Sequence, residues 1–246
     1  MIKKHNKRSG MYLYGKNSVL ERLKAAPGSI RKIYLQENFD SSNVLDAIKV
    51  SGIPAKRVSE DELSRIKRAD RLQGIVAEVD NFSYTPFEDL LYESGKKKTF
   101  IFLDSINDPH NLGSMIRIAA CFGGFAVVIP KYESCEVTDA VMHVASGGEN
   151  FVPVSMVNNM TNALIDAKKE NYWVVGTVVD DGQDICKTSL PFPMCLVMGS
   201  EGKGIRHGIQ KHLDLKVTLP MKGAQLSLNV SMACAIFCHE AAKQRP

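Results

Sequence analysis

Three stretches of the 246-residue chain set amide, hydroxyl or charged side chains among residues that let the backbone turn sharply. They are Asn107-Asp-Pro-His-Asn-Leu-Gly-Ser-Met-Ile-Arg117, Met198-Gly-Ser-Glu-Gly-Lys-Gly204 and Leu219-Pro-Met-Lys-Gly-Ala-Gln-Leu-Ser-Leu-Asn-Val-Ser231. In the first, Asp108-Pro109 is a turn signal, and Asn111 and Gly113 suit the start of a helix. Arg117 follows Asn111 by less than two helical turns. A fixed cation then stands near the C-terminal edge of the preceding strand, where ligands gather in open α/β sheets. An N-capped helix whose arginine pairs with a surface acid would show the same local pattern.

The second stretch has three glycines in six residues, which lets a loop approach a ligand through its backbone. It is neither Gly-x-x-x-x-Gly-Lys-Ser/Thr nor Gly-x-Gly-x-x-Gly, so a phosphate cradle is disfavoured. Glu201 in that loop is a poor phosphate contact and a good partner for an arginine or a ligand amine. A plain strand-to-helix turn is the competing interpretation. In the third stretch, Ser227 and Asn229 are placed to cap the following helix or to present a hydroxyl and an amide to a ligand.

The elements around these stretches alternate strand and helix, the pattern of an α/β fold. Thr99 to Leu103, Phe125 to Ile129 and Met194 to Met198 are continuous apolar runs, as in parallel strands buried on both faces. Trp173 to Val178 and Val217 to Leu219 are further strands. Helices are expected at Leu112–Phe122, Asp139–Ala145, Met160–Glu170 and Val230–Lys243. The last is apolar on more than one face and suits packing on a partner subunit as well as on its own core. Ahead of these lies a smaller α/β series from Tyr12 to Val79, with helices at Asn17–Lys24 and Ser42–Val50 and a capped start at Ser59-Glu-Asp-Glu62. The expected organisation is a flexible basic tail over 1–10, a small domain over 11–80, a linker over 81–98 and a larger domain over 99–246.

The chain is 44% hydrophobic and 24% charged, ordinary for a globular protein. No apolar run reaches the ~18 residues that span a bilayer, and no membrane association is expected. The N-terminus, Met1-Ile-Lys-Lys-His-Asn-Lys-Arg8, lacks the apolar segment of a secretory signal, so the cytoplasm is the expected compartment. The six cysteines have mostly apolar neighbours and form no Cys-x-x-Cys pair, so buried thiols are expected and no metal. Residues 1–80 hold 16 Lys and Arg against 10 Asp and Glu; residues 81–246 hold 15 against 17. A basic front half suits a polyanionic partner, and a solvated surface with a basic tail gives the same balance.

Taken together in this order and spacing, the three stretches resemble the motif set of the SpoU/TrmH-type RNA 2′-O-ribose methyltransferases of the SPOUT superfamily. Tyr14-Gly-Lys-Asn-Ser-Val-Leu20 and Leu72-Gln-Gly-Ile-Val76 extend the resemblance to the small domain, and to the RlmB-like branch that modifies a guanosine of 23S rRNA. The branch usually has His before Gln-Gly, where this chain has Leu72. The resemblance implies a trefoil-knotted catalytic domain with a parallel sheet, an L30e-like RNA-binding domain before it, S-adenosylmethionine as methyl donor, and a homodimer with the active site at the interface. It assigns catalytic positions to Asn111, Arg117, Glu201, Ser227 and Asn229. It assigns cofactor positions to Gly199, Leu219 and Leu228, and Thr177 lies in a strand end expected to line the same pocket.

The implied reaction moves a methyl group from a sulfonium to a ribose 2′-OH, so the protein must position two groups and remove one proton. The family's candidate base is Arg117, whose guanidinium is nearly always charged. It is therefore expected to act jointly with an RNA phosphate. Lys3, Lys4, Lys7, Arg8, Arg65, Lys67, Arg68 and Arg71 are the expected RNA phosphate contacts. The partners expected are RNA and a second copy of the chain, with no DNA. A tRNA 2′-O-methyltransferase and a non-catalytic RNA-binding member of the fold are the rival readings.

Overall fold

The computed structural model describes residues 10–95, 97–200, 202–224 and 226–246. The chain divides into two compact units, Met1–Ser83 and Tyr84–Pro246.

The first unit is built on a four-stranded sheet of β1 (Met11–Tyr14), β2 (Ile30–Gln36), β3 (Ala55–Val58) and β4 (Ile75–Val79), in the order β1-β4-β2-β3. Its helices are α1 (Lys16–Ala25), α2 (Ser42–Ser51) and α3 (Glu60–Ile66). Alternation along the strands decides the packing: Leu13, Ile33 and Ala77 are fully buried, while Tyr14, Val58 and Val76 form a second cluster with Leu63 of α3. Ser59 caps α3 by accepting from the Glu62 backbone N–H at 3.2 Å, as its sequence predicts.

In the second unit come α4 (Phe87–Leu91), β5 (Thr99–Asp104), α5 (Pro109–Phe122), β6 (Phe125–Pro130), α6 (Asp139–Ala145) and β7 (Val154–Val157). After them follow α7 (Met160–Lys169), β8 (Trp173–Thr177), β9 (Gln183–Asp184), β10 (Met194–Gly199), α8 (His207–Gln210), β11 (Leu215–Thr218) and α9 (Val230–Gln244). All seven strands run parallel, in the order β7-β6-β5-β10-β8-β11-β9. The apolar runs expected to be doubly buried strands are buried along nearly their whole lengths. Phe100 and Phe102 face a cluster that includes Leu164 of α7 and Ile209 of α8, while α5, α6 and α9 pack together.

Part of the expected linker is core. Phe87, Leu90 and Leu91 of α4 are buried against Phe100 and Phe102, because they recur at helical spacing and form one apolar face. Helix α5 also starts earlier than expected. Asp108 accepts from the His110 backbone N–H at 2.9 Å, and Pro109 occupies the first turn, where its missing N–H costs nothing. Gly113 is a packing residue rather than a start signal: a Cβ there would meet the Val141 carbonyl at 2.6 Å, so α5 and α6 approach backbone to backbone.

The strand order reverses direction at β5. The chain moves outward through β6 and β7, then returns so that β10 lies between β5 and β8. The C-terminal ends of β5 and β10 are in register, with Gly199 opposite Asp104. Such a reversal leaves a crevice beyond the strand ends.

Candidate active site

The three motifs meet at that end of the sheet. Helix α5 carries Asn111, which is buried, and Arg117, which is exposed. Asn229 is the N-cap of α9: its Oδ1 accepts from the Ser231 backbone N–H at 2.9 Å and from the Ser231 hydroxyl at 2.6 Å. The same side chain donates from Nδ2 to Oδ1 of Asn111 at 3.1 Å. One amide thus caps a helix and joins two motifs 118 residues apart, so capping and site-building are a single arrangement. Ser227 is exposed two residues upstream and is not the cap. No described residue forms an ion pair or side-chain hydrogen bond with Arg117. Glu201, its expected partner, lies outside the described residues, as do Lys3, Lys4, Lys7 and Arg8.

The expected cofactor positions fall on adjacent strand ends. Thr177 ends β8, Gly199 ends β10, and Leu219 directly follows β11. Thr177 donates its hydroxyl to the Val197 carbonyl at 3.2 Å, which ties the β8 end to β10. A Cβ at Gly199 would collide with the backbone of Gly204 and Ile205, and Gly204 N–H donates to the Ser200 carbonyl at 2.9 Å. The glycine turn is therefore folded tightly on itself for a backbone reason. Leu228 lies in the exposed approach to α9.

Three groups of side chains near these strand ends are not singled out by the sequence. Asp104, fully buried, accepts from Nε of Arg206 at 2.7 Å and from its backbone N–H at 2.8 Å. Arg206 also donates to Glu133 at 2.9 Å. The available signal is an acid closing an otherwise apolar strand, which must find a partner. The turn Gly147-Gly148-Glu149 packs on α5, since a Cβ at Gly148 would meet the Arg117 Cα at 3.0 Å. Cys135 donates its backbone N–H to the Ile106 carbonyl, and its thiol pKa is pushed up by burial and then by Asp108 and Glu136. Thiolate chemistry is disfavoured there.

Residues 98–239 match the SpoU rRNA methylase family, and residues 12–85 match the RNA 2′-O ribose methyltransferase substrate-binding domain. The chain belongs to the SpoU rRNA methylase family. It is similar to the 23S rRNA (guanosine-2′-O-)-methyltransferase RlmB of Coxiella burnetii, at 35% identity over 95% of each chain. Among solved structures it resembles the SpoU methyltransferase AviRb of Streptomyces viridochromogenes in complex with AdoMet, with a TM-score of 0.80, 19% identity, and 99% and 94% of the two chains covered. The A. aeolicus TrmH/SpoU tRNA modifying enzyme matches with a TM-score of 0.55 and 24% identity, covering 65% of this chain and 80% of its own.

A SpoU-type donor, S-adenosylmethionine, fits the residues at the strand ends. Val179, Met221, Leu226 and Leu228 are exposed apolar side chains in the loops following β8 and β11, suited to covering a purine. The tight turn at Gly199 leaves no room for a side chain, so a ligand at this strand end would meet backbone.

In the substrate-binding unit, Gln73 and Gly74 have positive φ, at 56° and 73°. Gln73 Oε1 accepts from the Lys16 backbone N–H at 2.8 Å, so the two stretches that carry the resemblance in this unit are joined at the start of α1. Arg65, Arg68 and Arg71 are exposed, and Lys67 lies over the Tyr14 ring, 5.6 Å from its centre.

Proposed function

We propose that this chain transfers a methyl group from S-adenosylmethionine to a ribose 2′-OH of RNA, with a guanosine of 23S rRNA as target. The observation that carries the reading is the Asn229–Asn111 hydrogen bond, which brings the third motif onto the helix that presents Arg117. The match to the substrate-binding domain favours ribosomal over transfer RNA. Both the small unit and the larger one have counterparts along the full length of the RlmB relative.

When bound, S-adenosylmethionine supplies a methyl group already activated on a sulfonium. The protein's task is then orientation and proton removal. Arg117 presents an exposed planar cation able to hold an RNA phosphate and the reacting hydroxyl together. Acting jointly with that phosphate, Arg117 either relays the 2′-OH proton or orients the hydroxyl in this scheme. Asn111 and Asn229 fix each other's amide orientation beside it, Glu201 holds Arg117, and Ser227 shapes the approach to α9. Thr177, Gly199, Leu219 and Leu228 hold the donor.

The working unit in this reading is a homodimer in the cytoplasm. Met232 and Ile236 of α9, one turn apart, are 62% and 38% exposed, and Phe122 at the end of α5 is 38% exposed. This apolar surface on the α5–α9 side suits a second copy of the chain.

The test is methyl transfer from labelled S-adenosylmethionine to 23S rRNA, 16S rRNA and bulk tRNA. Label confined to a ribose of 23S rRNA is the expected result. Label in tRNA would overturn the substrate and keep the chemistry; label on a base would overturn the chemistry.

A further inference from the structure

Asp104 is the last residue of a strand buried along its length, and its carboxylate is itself fully buried. Such a group persists in a fold only with close, well-directed partners. Both of its main partners come from one residue. Arg206 donates its backbone N–H to Oδ2 at 2.8 Å and its Nε to Oδ1 at 2.7 Å, across 102 residues of chain. The Ser105 hydroxyl adds a longer contact at 3.3 Å. The far end of the same guanidinium donates from Nη1 to Glu133 at 2.9 Å, in the loop after β6.

The location gives this contact a use. Asp104 is in register with Gly199, the last residue of β10. Arg206 returns the chain to that point just beyond the glycine turn, whose two limbs pair at Ser200 and Gly204. Ile205, directly before Arg206, is buried in the core with Ile209. Beyond Asp104 the chain turns into the motif that carries Asn111 and Arg117. One side chain thus ties together the ends of β5, β6 and β10 at the point where the strand order reverses.

Resting on the methyltransferase reading, we infer that Arg206 is a positioning residue of the site. Held by Asp104 and Glu133, it fixes the limbs Gly199–Ser200 and Gly204–Ile205 in the shape that receives S-adenosylmethionine. It also couples them to the turn leading into α5. A guanidinium fork reaches both acids at once; a lysine at this position could not satisfy both with the same geometry.

The experiment measures S-adenosylmethionine affinity by titration calorimetry, and RNA affinity separately, on the full chain. The variants are Arg206→Met, Arg206→Lys and Glu133→Gln, with Val127→Ala in the buried β6 as a destabilised control away from the turn. Arg206→Met is expected to weaken cofactor binding about tenfold or more, the scale on which outer supporting contacts act. Arg206→Lys and Glu133→Gln should fall between it and wild type. RNA affinity should stay within about twofold in all variants, and Val127→Ala should lower the melting temperature without moving cofactor affinity. Should Arg206→Met not fold, the two milder variants decide by the same criterion. Cofactor affinity unchanged in the Arg206 and Glu133 variants, or falling in step with melting temperature through Val127→Ala, would overturn the inference and leave the methyltransferase reading intact. A wild-type chain that binds no S-adenosylmethionine would overturn both.

Discussion

Two arginines, one on the helix that follows β5 and one just beyond β10, stand in opposite circumstances. Arg206 is held by a fully buried carboxylate and by Glu133. Arg117 is exposed, and no described residue bonds its side chain. A guanidinium already shared between two acids has little left to offer an RNA phosphate, whereas one projecting from a helix does. The number of acids already bound, rather than residue type, separates the cation that would meet substrate, held in the proposed scheme by Glu201 alone, from the cation that shapes the site, held by two. The backbone beneath each agrees. The limbs of the glycine turn are packed so closely that no Cβ fits at Gly199, while Arg117 projects from a regular helix buttressed by Gly148.

The contrast is open to its sharpest break at Arg117. Arg117→Ala should lower the methyl-transfer rate by about 10²–10³-fold, as removal of a preorganised electrostatic group does. S-adenosylmethionine affinity should stay within about twofold, the opposite of the pattern expected at Arg206. Arg117→Lys should recover little, because a point charge cannot hold hydroxyl and phosphate in one plane. Single-turnover rates beside calorimetric affinities decide it; a rate for Arg117→Lys near wild type would rule out the fork role.

A second test asks whether the exposure of Arg117 persists in the working protein. If a second copy covers the apolar surface of α5 and α9, then Met232→Lys should dissociate the dimer by placing a charge in its centre. Turnover should fall by about tenfold or more with the fold retained, since the pair at Asp104 and Arg206 is formed within one chain. Sedimentation equilibrium and circular dichroism read the two effects apart. A wild-type chain that is monomeric at working concentration and fully active would remove the dimer from the mechanism.

The Asn111–Asn229 bond is the neutral counterpart of the charged pair at Arg206. Asn229→Ala removes a helix cap, which costs about 1 kcal/mol of stability. It also removes the Nδ2 donor to the Asn111 amide oxygen. A drop in activity of about 10-fold beyond what the reduced stability explains is expected. Asn111→Ala should then add little to Asn229→Ala, because the two act as one unit. Fully additive effects on the rate in that double-mutant cycle would show that the hydrogen bond does not couple them.

What is legible in the sequence follows from what each residue must satisfy locally. Continuous apolar runs identify β5, β6 and β10, because parallel strands covered on both faces have no polar side. The short strand β7 contains a buried serine and has no such signal, so only the structure reveals it. β11 begins two residues earlier than its apolar pattern suggests, because Lys216 interrupts that pattern. Asp108-Pro109 has the chemistry of a turn, although Asp followed by Pro also starts a helix, and here it does. For Asn229, local pattern cannot separate a cap from a ligand group, since one amide can fill both roles together. Asp104 and Arg206 are 102 residues apart and only the folded sheet brings them together, so in the sequence Arg206 is an ordinary surface cation.

The smallest effect is expected where arginines are neither locked nor poised over chemistry. Arg65 and Arg68 lie in and just after α3 of the first unit, and both are exposed. Their ionic contacts to RNA would add affinity without touching the reacting hydroxyl. Replacing both by Gln should weaken RNA binding a few-fold at low salt. The plot of log affinity against log salt should flatten by about 0.7 to 0.9 for every phosphate that is no longer neutralised. Turnover at saturating RNA should stay within about twofold, and S-adenosylmethionine affinity should not move. Binding isotherms at several salt concentrations measure the slope directly. A slope identical to wild type would take these two arginines out of the RNA interface. A fall in turnover at saturating RNA would mean instead that their role reaches into the site, and that the division between substrate-holding and reaction-serving cations is drawn in the wrong place.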